Sequence, residues 1–194
     1  MAKLYDEIDD HLRAFIAAQR VFFVATAPSG DGGHVNCSPK GLGELAVLGP
    51  TSVAYLDLVG SGVETIAHLR QNGRIVIMFC AFEGPPEIVR LHGRGRVVEP
   101  TDAEFAPLLA RLGRKAPVGV RSIIHVDVTR ISDSCGYGVP RYGYEGERDQ
   151  LGLWAERKGA DGVEAYQRQS NASSIDGLDG LRWATKTRRD GGPA

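Results

Sequence analysis

Arg74-Ile-Val-Ile-Met-Phe-Cys-Ala-Phe82, then Glu83-Gly-Pro-Pro86, then Glu87-Ile-Val-Arg-Leu-His-Gly-Arg-Gly-Arg-Val-Val98 is the stretch that decides the fold. The first run is almost wholly apolar and rich in β-branched residues, the pattern of a strand covered on both faces. The Gly-Pro-Pro segment cannot continue it, and the run that follows alternates well enough to pair back on it. Two long antiparallel strands are therefore predicted at the centre. Upstream, Val21–Ala27 is a short strand stopped by Pro28-Ser-Gly-Asp-Gly-Gly33, and Val35–Ser38 resumes it as a hairpin. Thr51–Leu58 is a third strand. Val63, Ile66, Ala67, Leu69 and Arg70 form a helical stripe closed by Asn72-Gly73. Ile8, Leu12, Phe15 and Ile16 mark a first helix ending near Gln19; Asp102–Leu112 marks another, with Thr101 as N-cap; and Arg121–Ile131 is the last strand. Six strands with only short helices between them favour a small closed or split barrel over a doubly wound parallel sheet. After Ser132 the composition changes to the Gly/Tyr-rich Cys135-Gly-Tyr-Gly-Val-Pro-Arg-Tyr-Gly-Tyr-Glu-Gly146, followed by helices over Asp149–Lys158 and Gly162–Gln169. The reading is a barrel domain over 1–132 and an extension over 133–194 that packs on the barrel or on a neighbouring subunit.

The chain has 194 residues, of which 42% are apolar and 24% charged, enough for one well-cored domain. A formal net charge of −1 gives no global basic field for nucleic acid or anionic lipid. Arg182, Lys186, Arg188 and Arg189 read as a solvated terminus. Cys37, Cys80 and Cys135 are odd in number and widely spaced, which disfavours a disulfide scaffold or zinc site. The acidic start Met1–Asp10 lacks a signal-like apolar stretch and no run reaches the ~20 apolar residues of a bilayer span, so a soluble cytoplasmic protein is expected. His34, His68, His92 and His125 fall on different elements, as structural or surface histidines do.

Two segments carry candidate chemistry. In His34-Val-Asn-Cys-Ser-Pro-Lys-Gly41, strand parity puts Asn36, Ser38 and Lys40 on one face and Val35, Cys37 and Pro39 on the other, with Cys37 expected in the core. In Tyr55-Leu-Asp-Leu-Val-Gly-Ser-Gly-Val-Glu-Thr65 a strand runs through a glycine-flanked serine into a helix. A lysine, hydroxyls and unsatisfied helix N–H groups that converge suit a phosphate. Two plainer readings stand beside this: Pro39-Lys40-Gly41 as a turn with an exposed lysine, and Ser61-Gly-Val-Glu64 as a capping box. Asp57 reads either as a cofactor contact or as a turn cap. Glu64 opposes a phosphate unless it points away.

Taken in order, the strand ending Ser38-Pro-Lys-Gly41, then Gly60-Ser-Gly-Val-Glu-Thr-Ile-Ala-His-Leu69, Asn72-Gly-Arg-Ile-Val-Ile-Met-Phe79 and Pro85-Pro-Glu-Ile-Val-Arg-Leu-His-Gly-Arg-Gly-Arg-Val97 resemble the pyridoxamine 5'-phosphate oxidase-related flavoproteins. The resemblance covers roughly residues 5–132. It implies a six-stranded split β-barrel homodimer with FMN in grooves at the subunit interface and an oxidoreductase acting on an unknown small molecule. It further implies Lys40 at the FMN phosphate, Asn36 and Ser38 beside the flavin, Asp57, Ser61, Gly62 and Thr65 at the ribityl phosphate end, and Arg90 where a partner strand approaches the cofactor. Oxidases of the family commonly carry basic residues at the helix start, where this chain has Ser61, Gly62 and Glu64. Nothing matches their C-terminal substrate-gripping segment, so vitamin B6 oxidation is not expected. The rival expectation is a non-catalytic carrier of flavin, haem or a deazaflavin.

Overall fold

A computed structural model describes residues 3–185. Its elements run β1 (Leu4–Tyr5), α1 (Asp10–Ala18), β2 (Phe22–Thr26), β3 (Asn36–Lys40), β4 (Leu45–Gly49), β5 (Ser52–Leu58), α2 (Glu64–Asn72), β6 (Arg74–Cys80), β7 (Ile88–Val98), α3 (Phe105–Arg111), β8 (Val120–Ser134) and α4 (Gln150–Ser170). All strand pairs are antiparallel, in the order β3-β2-β6-β7-β8-β5-β4, with β1 added to the far end of β8.

The predicted central hairpin is β6–β7, with Arg74 opposite Arg94 and Cys80 opposite Ile88. β7 runs on beyond it to pair with β8 along its whole length. The sheet is strongly curled although not closed. Phe22 on β2 and Tyr55 on β5 lie four strands apart, roughly 19 Å on a flat sheet at ~4.8 Å per step. Their ring centroids are nevertheless 5.4 Å apart. They meet inside one core that also holds Val24, Ile77, Phe79, Val89, Leu91, Ile124 and Val126, capped by Leu12 and Ile16 of α1 and Ile66 and Leu69 of α2. A second cluster, Leu56, Val98, Ile123 and Phe105, Leu108 and Leu112, covers the other side of β5 and β8 with α3. β5 is thus buried on both faces, which explains its apolar run.

Two glycines set where α2 sits. Gly73 takes the left-handed conformation (φ 68°) and ends α2, its N–H bonded to the Leu69 carbonyl. Gly95 lies under that helix, where a Cβ would come within 2.8 Å of the Leu69 side chain.

Among the described residues the sheet has eight strands where six are expected from sequence. Leu4–Tyr5 is too short to show a period, and Leu45-Ala-Val-Leu-Gly49 lacks alternation because all five positions are half-buried at an edge. Helix α3 starts only at Phe105, so Thr101 does not cap it; its first turn follows Glu104. The two expected tail helices are both present within α4, parted at Gly159, whose backbone is not helical (φ 67°, ψ 173°). α4 docks on the barrel through Val59, Ala155 and Val163, with Leu151, Trp154 and Tyr166 around them. The chain then returns across α2, where Arg70 bonds the Gly180 carbonyl and Glu99, and Arg182 pairs with Asp102. Arg182 is therefore tied down, while Lys186, Arg188 and Arg189 lie outside the described residues.

Candidate functional site

β3 pairs with β2 so that Lys40 faces Phe22, Ser38 faces Val24 and Asn36 faces Thr26. Directly opposed residues share a face, and Phe22, Val24 and Thr26 point into the barrel. The polar triplet therefore faces inward. Cys37 is exposed and not in the core, because nothing covers the outer face of this edge strand. The inward side chains are linked: Ser38 Oγ donates to Asn36 Oδ1 (3.0 Å), and Asn36 Nδ2 donates to Thr65 Oγ1 (3.0 Å) and Thr26 Oγ1 (3.3 Å). Behind Thr26 lies His68 Nδ1 at 2.9 Å. His68 is fully buried, and burial holds its pKa below the ordinary imidazole value.

Asp57 is the electrostatic pivot. It is fully buried on β5, with Lys40 Nζ 3.0 Å from Oδ1 and Arg121 Nε 2.6 Å from Oδ2. Burial alone raises a carboxyl pKa, but here the Arg121 and Lys40 cations outweigh it and hold Asp57 down at about 2. Asp57 is thus a buried ion-pair partner and not a turn cap. Arg121 continues the network by donating to the Gly62 carbonyl (2.7 Å) and, at 3.4 Å, to the Gly60 carbonyl.

Arg121 is the site residue that sequence reading missed. In the β5–β8 ladder Asp57 pairs with Ser122 and Leu58 with Val120, so Arg121 is the extra residue of a bulge. A bulge re-aims its side chain out of strand parity. Here it brings a second cation against Asp57, so that Lys40, Arg121 and Asp57 together keep one net positive charge at the cavity.

These groups surround a cavity of about 320 Å³, lined among others by Asn36, Ser38, Lys40, Ser61, Gly62 and Thr65, with Arg121 at its base. Of the eight residues nominated from sequence, six line it and Asp57 stands just behind. Arg90 does not join them. It pairs with Met78 and Ser132, one residue out of step with the inward-facing Val89 and Leu91, and its guanidinium donates to Ser134 Oγ at 3.0 Å on the other face of the sheet.

The capping box is not formed. α2 begins at Glu64 after Val63, with no side-chain cap, so Ser61 remains in the loop and the first N–H groups of the helix have no side-chain partner. Glu64 also lines the cavity, but its Oε1 accepts from the Ile175 N–H (3.3 Å) of the returning C-terminal segment. The cavity opens at Pro39, Lys40, Gly41, Leu42 and Leu151 into a mainly apolar groove of about 1200 Å³ between α1, the β6–β7 turn and the Tyr142–Glu147 segment. Tyr142 packs on Phe82 (5.6 Å between centroids) and Tyr144 on the Arg20 guanidinium (4.9 Å). Among the described residues no cluster of His, Cys, Asp and Glu could hold a metal, and no helix is long and apolar enough to cross a membrane.

The family model for pyridoxamine 5'-phosphate oxidase matches residues 8–135. The chain belongs to the pyridoxamine 5'-phosphate oxidase family. A family relative, the pyridoxamine 5'-phosphate oxidase family protein ustO of Aspergillus flavus, is 41% identical over 203 residues, covering 97% of this chain and 81% of the relative. Among solved structures, a histidine-to-alanine form of HupZ from Group A Streptococcus superposes with a TM-score of 0.52 at 21% identity, covering 66% of this chain and 99% of that one. A second HupZ structure gives 0.50 at 22%, covering 64% and 91%. That likeness is one of fold, the family's open antiparallel split barrel. The family model spans the barrel and α2; α4 and the returning segment lie beyond the residues it matches, although the Aspergillus relative is matched over nearly the whole chain.

The residues present fit a flavin phosphate. An ammonium has three donors, and the bond to Asp57 leaves Lys40 two of them. Hydroxyls of Ser61 and Thr65 and the uncapped start of α2 stand on the same cavity wall, and an apolar groove wide enough for a ring system adjoins it.

Proposed function

We propose that this family member is a flavoprotein that binds FMN and uses it as an oxidoreductase on a small-molecule substrate. The reading rests above all on the convergence of Lys40, the backbone fixed by Arg121 and the start of α2 on one cavity that opens into an apolar groove. The flavin, when bound, supplies hydride or electron transfer, while the protein supplies binding and orientation. Lys40 would meet the phosphate directly, Ser61, Thr65 and the N–H groups of α2 would complete its donor set, and Asn36 and Ser38 would border the flavin. Asp57 and Arg121 hold the lysine and the Gly60–Gly62 loop in place. Arg90, facing away from this cavity, would serve the cofactor of the second subunit in a homodimer, which puts one cofactor on each side of the interface.

The test begins with the visible spectrum of the purified protein and the affinities of FMN and riboflavin. A flavin band released on denaturation, a preference for FMN over riboflavin, and loss of that preference in Lys40→Ala support the reading. A protein that takes up no FMN, or a Lys40→Ala variant with full FMN affinity, refutes it. Sedimentation gives the oligomeric state. Anaerobic addition of reduced nicotinamide or deazaflavin separates an enzyme, whose flavin band bleaches, from a carrier, whose band persists.

A further inference from the structure

The loop that faces the cavity is held from behind by a part of the chain beyond residues 8–135, which the family model matches. α4 ends at Asn171, whose own N–H closes the last helical turn on the Gln167 carbonyl. The Asn171 side chain is completely buried, and its Nδ2 donates to the Gly60 carbonyl at 2.9 Å. Arg121 donates to the next carbonyl but one, that of Gly62, at 2.7 Å. A trans peptide is planar, so its N–H points opposite to its C=O. Drawing the Gly60 and Gly62 carbonyls toward Asn171 and Arg121 therefore turns the Ser61 and Val63 N–H groups the other way. Both N–H groups stand immediately before the uncapped start of α2.

The same returning segment acts twice more at this place. The Ile175 N–H holds Glu64 Oε1, the carboxylate that lines the cavity wall beside Ser61 and Gly62. Asp176 accepts from the His34 N–H (2.8 Å) and lies 2.6 Å from His34 Nδ1, so it pins the chain two residues ahead of Asn36.

We propose that Asn171 is a positioning residue for the phosphate loop, and that residues 171–176 form a clamp that orders the Gly60–Gly62 backbone so that the Ser61 and Val63 N–H groups serve the ligand's phosphate, and that occupies one carboxylate oxygen of Glu64. This rests on the reading of the cavity as a flavin phosphate site. The role is phosphate-specific: Asn171 touches no ligand, so its loss should cost FMN the ordered N–H donors of the loop and leave the binding of a flavin without phosphate as it was.

The experiment compares FMN and riboflavin dissociation constants for wild type, Asn171→Asp and Asn171→Ser by flavin fluorescence quenching, with folding checked by thermal melts. The aspartate is isosteric but removes the donor; the serine is the second arm should a buried carboxylate prevent folding. The expected result is a rise of about tenfold in the FMN constant with the riboflavin constant unchanged, the scale of one lost hydrogen bond to a phosphate-binding loop. Parallel weakening of both flavins, or no change in either, overturns the clamp. A wild type that binds FMN no better than riboflavin overturns the phosphate site itself, whatever the variants do, and the two failures are thereby told apart.

Discussion

Replacing Asp57 by Asn would test the electrostatic account of the site most directly. In the folded protein Asp57 is fully buried between Lys40 and Arg121, and its pKa drops from 3.8 to about 2. At ~1.4 kcal/mol per unit, the ionised carboxylate contributes roughly 2 kcal/mol at neutral pH. Because the folded value lies below the unfolded one, this contribution is complete above about pH 4 and is lost as pH falls toward 2. The amide removes it at every pH and leaves two cations, 3.0 and 2.6 Å from its position, without their counter-charge. Breaking one member of such a buried cluster costs about 3–5 kcal/mol. Urea unfolding of both proteins from about pH 7 down to about pH 2.5 should give a gap of that size at neutral pH, narrowing by roughly 1.5 kcal/mol at the acid end as the wild-type carboxyl protonates. A variant within about 1 kcal/mol of wild type at neutral pH, or a gap that ignores pH, would refute the assignment of Asp57 as the pivot.

Three further outcomes are expected. Gly93→Ala places a Cβ against the Asp127 carbonyl and within 2.9 Å of Val126 Cγ1, in the bulge of the β7–β8 ladder. The backbone cannot give way there, and calorimetry should show Tm lower by about 5 °C or more. Phe22→Ala removes the ring that touches both Tyr55 and Phe79 across the curled sheet, and chemical denaturation should report a loss of about 3–5 kcal/mol. Burial lowers the pKa of His68 against the opposing pull of Asp176 and Glu64, so the unfolded chain binds more protons just below pH 6.5 and stability must fall as pH drops through that range. His68→Gln should flatten part of that slope; an unchanged slope would place it on His92 and His125, whose values burial also lowers.

Much of the fold was legible because it is written in local period. The apolar run Arg74–Phe82, the alternation after Glu87 and the Asn72-Gly73 stop each carry their own signal within a few residues, and each became the element expected, with β6 ending at Cys80. The inward parity of Asn36, Ser38 and Lys40 was legible for the same reason: a strand sorts alternate residues to opposite faces wherever it is placed. The composition of those faces misled at Cys37, since an apolar residue on the open side of an edge strand has no layer to bury it.

What sequence alone determined, then, is six of the eight described strands and the helices between them, the family and a lysine with hydroxyls on one strand face. What only the tertiary structure decided is how that lysine is used. Arg121 is 64 residues from Asp57 along the chain and reaches it through a bulge that no alternation reveals. Asn171 reaches Gly60 from 111 residues away because α4 docks on Val59. Periodicity records which way a side chain faces on its own element. Which charge ends beside which, and so whether a cavity will hold an anion, depends on contacts between elements that have no local trace.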